Sequence, residues 1–104
     1  MPTVVVLYPR QADASFDFDY YTSTHLPLVS SRWTEAGLSS VAALRGTAGP
    51  DGGDGPYLAI ALLTFGSQAG LDTALGGPHA PEIMGDIANF TNVQPILQMT
   101  EAMS

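Results

Sequence analysis

The chain contains no cysteine and no lysine, and sets only three arginines against ten acidic residues. Without cysteine there is no disulfide, no thiolate nucleophile and no cysteine metal site. Without lysine there is no Schiff-base chemistry. A net charge of −7 cannot neutralise a phosphate backbone, which excludes a nucleic-acid partner and disfavours an anionic membrane surface. Long apolar runs are missing too. The longest, Tyr57 to Leu63, falls far short of the roughly 20 residues of a membrane helix. The start, Met1-Pro2-Thr3-Val4, lacks the basic opening of a signal peptide. The expectation is a soluble cytoplasmic protein with no membrane partner. Charged residues make up 12% of the chain, about half the usual share, so part of the surface is expected to be covered by a second copy.

What is present is enough for one core. For 104 residues the scaling of surface with mass gives about 5,600 Å² folded against about 15,800 Å² unfolded, and residues 1–104 are expected to form a single domain. Glycine and proline divide it. Thr3 to Tyr8 is β-branched and apolar, a strand expected to be buried on both faces and stopped by Pro9. Gln11 to Ser15 is polar loop, and Ser15 or Asp17 can cap the helix that follows. From Asp17 to Gly37 the apolar spacing is helical. Phe18, Tyr21, His25 and Leu28 form one stripe, and Leu26, Val29 and Trp33 another. Pro27 inside this run would cost about 3 kcal/mol in a regular helix, so a bend is expected at His25-Leu26, with Gly37 as a left-handed cap.

Leu38 to Arg45 and Tyr57 to Phe65 read as strands two and three, the latter central, joined by the mobile glycine-rich stretch Gly46 to Pro56. Ser67 caps a second helix ended by Gly76-Gly77, and Pro78 is expected to open a further short helix to about Gly85. Phe90 to Met99 alternates, and Pro95 places this last strand at an edge. Strand, helix, strand, strand, helix, strand is the α+β, ferredoxin-like βαββαβ pattern with a four-stranded antiparallel sheet and both helices on one face. A second subunit's sheet is the economical cover for the other face, giving a dimeric α+β barrel.

Histidine alone titrates unperturbed near neutrality, and there are two. His25 lies at the expected break, where a side chain can turn between helix and sheet, with Tyr21 and Trp33 as aromatic walls. It reads either as a general acid or base in an apolar pocket or as a packed histidine bonded to a carbonyl. His79, between Pro78 and Pro81, reads as a rim residue. The two are far apart in the chain and neither has a local ligand partner, so no metal is expected. Gly49 to Gly55 lacks the lysine of a phosphate loop and leads into a strand. Asn89-Phe90-Thr91 is a chance match to a glycosylation acceptor. There is no serine elbow.

Three stretches carry a resemblance: Phe16 to Leu28 with its Thr24-His25-Leu26-Pro27-Leu28, Pro56-Tyr57 with the strand to Phe65, and Gly85 to Pro95. In these the chain resembles the EthD family, small dimeric α+β barrel proteins named for a protein encoded beside an ether-degrading cytochrome P450 system. The resemblance implies a ferredoxin-like subunit, a homodimer built sheet to sheet and a cavity between helices and sheet. The wider superfamily includes lactone isomerases, polyketide cyclases, decarboxylases, cofactor-free monooxygenases and haem-degrading enzymes. Where acid–base chemistry occurs there, a pocket histidine commonly serves, and His25 occupies the signature position. The resulting expectation is a cofactor-independent protein for a small apolar oxygenated or aromatic metabolite. His25 would move the proton, and Tyr21 would orient His25 or the substrate. Trp33, Phe90 and Leu28 would line the pocket, with Asn89 or Asp86 at its rim. The alternative is a non-catalytic binding dimer, auxiliary to a monooxygenase or degradation pathway.

Overall fold

A computed structural model describes residues 1–103. Its four strands are β1 (Thr3–Pro9), β2 (Leu38–Arg45), β3 (Tyr57–Phe65) and β4 (Ile96–Thr100). They form one antiparallel sheet in the order β2-β3-β1-β4. Helical segments α1 (Phe18–Tyr20) and α2 (Leu26–Trp33) follow β1, and α3 (Gln68–Gly76) and α4 (Ala80–Asp86) follow β3. This is the expected ferredoxin-like α+β order, with β3 and β1 central. Among the described residues no helix is long and apolar enough to cross a membrane.

The sheet has two unlike faces. Val4, Val6 and Tyr8 of β1 pair across the sheet with Leu63, Ala61 and Ala59 of β3, and all six are buried under the helices. Thr3, Val5 and Leu7 are only half-buried, so β1 is not enclosed on both sides as its composition suggests. Among the described residues nothing covers its second face. The body is thin, 39 × 35 × 19 Å, one sheet and one helical layer deep.

The break expected at His25-Leu26 takes another form. Tyr21 to His25 make a π-helical turn, in which the Leu26 N–H reaches the Tyr21 carbonyl. His25 and Leu26 both keep helical torsions, φ −68° and ψ −49° and φ −62° and ψ −43°, although the residue directly before a proline is biased toward extended backbone. Pro27 enters α2 in its first turn, and widening the turn before it relieves its clash with the Ser23 carbonyl. The wide turn also aligns the buried stripe. Steps of four residues drift by about 40° each on an α-helix, about 120° from Tyr21 to Trp33. One extra residue in a turn absorbs much of this, and Tyr21, His25, Val29 and Trp33 are all buried.

Caps follow the sequence where local chemistry dominates. The Asp17 carboxylate accepts from the Tyr20 N–H at 3.0 Å, Ser67 Oγ accepts from the Gly70 N–H at 3.0 Å, and Gly37 closes the first helical run at φ 97°. Ser15 has another task, its N–H bonding the Asn92 side chain at 2.9 Å. Two boundaries differ from expectation. α4 starts at Ala80 with Pro81, not Pro78, in its first turn. The last strand covers only Ile96–Thr100. Before it, Thr91 Oγ1 bonds the Ser15 carbonyl at 2.6 Å and accepts from the Val93 N–H at 3.1 Å. Side chains thus serve this segment where a ladder was expected. Pro95 precedes β4, which is still an edge.

Gly70 marks the closest approach of α3 to the end of the first helical run. A Cβ there would lie 2.1 Å from the Ala36 carbonyl oxygen. Gly70→Ala gains about 1 kcal/mol in helix propensity but forces backbone apart at a cost of about 1–3 kcal/mol. The expected outcome is a net loss of stability, read as a lower urea midpoint with unchanged slope; a more stable variant would show that α3 can shift freely.

Candidate functional site

Two helical segments converge on one imidazole. The π turn directs His25 toward the sheet, and its residue is only 4% exposed. From α4, Asp86 reaches the same ring, with Oδ2 2.9 Å from His25 Nδ1. The Tyr20 hydroxyl donates to Asp86 Oδ1 at 2.6 Å, and the Asn89 amide donates to the same oxygen at 3.0 Å. Aromatic rings hold the imidazole in place. Tyr21 stacks on it with centroids 5.7 Å apart, and Phe90 lies at 4.6 Å and tilted.

The protonation pattern follows from these contacts. Burial pushes the His25 pKa below its usual 6.5, against the pull of Asp86. Burial alone would raise the Asp86 pKa, but the bonds from Tyr20, Asn89 and His25 together hold it below the usual carboxylate range. An ionised carboxylate only accepts, so the neutral imidazole carries its proton on Nδ1. Nε2 is then the lone-pair nitrogen.

His25 lines a cavity between helices and sheet of about 30 Å³ open to the centre of a water molecule, enough for roughly two waters. Tyr8, Tyr21 and Trp33 also line it, and the rest of its wall is apolar. Leu75, Met84 and Leu97 belong to the same wall; Met84 is exposed and Leu75 and Leu97 are half-buried. A flexible methionine there can adapt to a ligand larger than the hollow.

Of the residues singled out in the sequence, His25, Tyr21 and Trp33 come together at this cavity. Phe90 packs against the imidazole without lining the cavity. Asp86 and Asn89 stand behind the ring, not at a rim, because α4 and the turn after it approach His25 from the Nδ1 side. Leu28 is half-buried and off the cavity, while Leu26 lines it; the π turn shifts which side of the run faces the sheet. His79 caps α4 and is exposed, with Nδ1 3.8 Å from Glu82. Two participants were missed. Tyr8 was legible, being in phase with Val4 and Val6, whereas Tyr20 shows only as one of a tyrosine pair. Among the described residues no three histidine or acidic side chains gather as metal ligands.

No family model matches the chain, and no curated protein does. Among solved structures it is similar to an EthD-like protein from Ralstonia eutropha, at 32% identity over 99% of this chain and 92% of that one, with a TM-score of 0.89. It is also similar in fold to SnoaB, a cofactor-independent oxygenase from Streptomyces nogalater, at 10% identity, 99% and 93% coverage and a TM-score of 0.71. A dimeric ferredoxin-like protein from Jannaschia matches at 18% identity, 97% coverage of both chains and a TM-score of 0.65.

Because folding depresses the His25 pKa, the unfolded chain takes up this proton first as pH falls. The contribution to stability is complete above the unfolded value near 6.5 and is lost as pH drops below it toward the folded value. Asp86, also depressed, adds a loss of the same sign below its unfolded 3.8. Urea midpoints should therefore fall between pH 7.5 and 5.5, and His25→Gln should flatten that limb. An equally steep limb in the variant would assign it elsewhere.

Proposed function

The chain belongs to the EthD family, and from that premise we propose that it binds a small, mostly apolar oxygenated or aromatic molecule in the helix–sheet cavity and moves a proton on it through His25, without a cofactor. One observation carries the reading: the 2.9 Å contact between His25 Nδ1 and Asp86. It supports a proton held on Nδ1 and Nε2 as the base in an apolar hollow. When Nε2 takes a proton from an O–H or an activated C–H, the imidazolium forms beside an ionised carboxylate. That pairing offsets the cost of a buried charge. Return of the proton to another atom completes an isomerisation or cyclisation, and loss of a leaving group an elimination. Asp86 is a positioning residue in this scheme, oriented in turn by Tyr20 and Asn89.

The partner in this reading is a second copy of the chain, within the cytoplasm. Leu7 and Ile60 face away from the helices, flanked in register by Leu44 on one edge strand and Ile96 on the other. Leu44 is 54% and Ile96 50% exposed. A contiguous apolar row across all four strands is costly to leave in water, and an identical sheet is a self-complementary cover. The likeness to a dimeric ferredoxin-like protein supports this.

Three experiments test the proposal. A thermal screen of phenols, lactones and ethers should find ligands that stabilise the protein, by about 2.7 kcal/mol at one hundred times the dissociation constant. Product analysis on those ligands should show turnover that falls about 100- to 10,000-fold in His25→Gln; full turnover in a variant with unchanged melting temperature would overturn the mechanism. Stabilisation with no turnover would instead make this a binding dimer. Light scattering should give twice the 10.9 kDa subunit mass, and Leu44→Asp with Ile96→Asp should halve it. A monomeric parent would remove the sheet-to-sheet interface.

A further inference from the structure

Several hydrogen-bonding groups around the cavity have no use within the protein. Tyr8 and Tyr21, 1% and 3% exposed, line it from the sheet and from the π turn. Their rings meet edge to face with centroids 5.9 Å apart. Neither hydroxyl has a hydrogen-bond partner among the described residues. They remain protonated donors at neutrality, since burial pushes Tyr21 up to about 12 and Tyr8 further, the latter also through its nearness to Tyr21. Among the described residues only the Trp33 Nε1–H is a fully enclosed side-chain polar atom without a partner, so the two hydroxyls keep accessible surface through which they can donate. A donor in an apolar wall gains from any acceptor that reaches it.

Charge narrows what that acceptor can be. No cationic side chain lines the cavity. Arg10 bonds the Gly55 carbonyl, Arg32 pairs with Glu82, and Arg45 lies over the Phe18 ring. Asp86 stands behind His25. A carboxylate or phosphate would enter with a carboxylate nearby and no counter-ion. A neutral acceptor oxygen would not.

We propose that Tyr8 and Tyr21 together form the oxygen-binding element of the cavity, and that its ligands are neutral carbonyl compounds with an acidic hydrogen next to the carbonyl. The two hydroxyls donate to the carbonyl oxygen. His25 Nε2 takes the α-proton: the C–H bond breaks, its electron pair becomes a C=C bond, and the C=O pair moves to oxygen. The phenol donors hold that oxyanion, and reprotonation at carbon or oxygen completes the step with no oxidant or reductant. The chemistry rests on the proposed role of His25, whereas the recognition does not.

Cyclohexanone and methylenecyclohexane have the same shape and differ in the acceptor oxygen. Calorimetry on the full chain should show the ketone binding at least about tenfold tighter. Tyr8→Phe and Tyr21→Phe should each reduce that preference about five- to tenfold and leave the hydrocarbon's affinity unchanged. Exchange of the ketone's α-hydrogens in deuterated water, followed by NMR, should slow in the same variants and stop in His25→Gln, which should keep the ketone preference. No preference in the parent, no binding of the ketone, or a preference that survives Tyr8→Phe with Tyr21→Phe overturns the oxygen-binding pair. A tyrosine-dependent preference without exchange in the parent supports the pair and overturns the role of His25 instead.

Discussion

The hydrogen bond from His25 to Asp86 joins the two helical excursions of the fold at 2.9 Å. His25 comes from the run after β1, and Asp86 from the end of the run after β3. They meet only because both crossovers lie on the same face of the sheet. Once made, the bond fixes the tautomer of a buried imidazole and keeps a carboxylate ionised close to an apolar cavity. The Tyr20 and Asn89 bonds to Asp86 matter through this contact, since they favour the charged carboxylate that burial opposes.

The π turn supplies the other half of the geometry. Proline at position 27 is incompatible with a regular helix four residues deep, and the wider turn accommodates it without leaving helical torsions. The same irregularity sets Tyr21 and His25 on the buried side together with Val29 and Trp33. A local backbone constraint is thereby coupled to site construction. A strictly regular run would rotate Trp33 away from the face that carries Tyr21.

The two faces of the sheet divide the labour. The helix-covered face carries Val4, Val6, Tyr8 and their β3 partners, and it forms one wall of the cavity. The other face is apolar across its middle and polar at one end, where Thr3, Thr64 and Thr100 bond one another or the adjoining backbone. This graded face lets a chain with so few charges keep an apolar surface outside its core at 104 residues.

The strands, their antiparallel order, the Asp17, Ser67 and Gly37 caps and the importance of the His25-Pro27 region were all legible in the sequence. Each depends on interactions within a few residues or on the alternation of apolar side chains. Less was legible where distant segments compete. The alternation of Phe90 to Pro95 mimics a strand, but Ser15, Asp13 and the Asn92 and Thr91 side chains meet its polar groups instead. The residue set around His25 could be named, but not arranged: Asp86 and Asn89 support the ring from behind, Leu28 lies off the cavity, and Tyr8 lines it. Composition and periodicity determine which side chains are buried, because burial is set by local spacing and the hydrophobic effect. Which nitrogen of the imidazole is bonded, and which hydroxyls are left free, was decided only by the tertiary structure, because those contacts join residues about sixty positions apart and depend on how two crossovers pack.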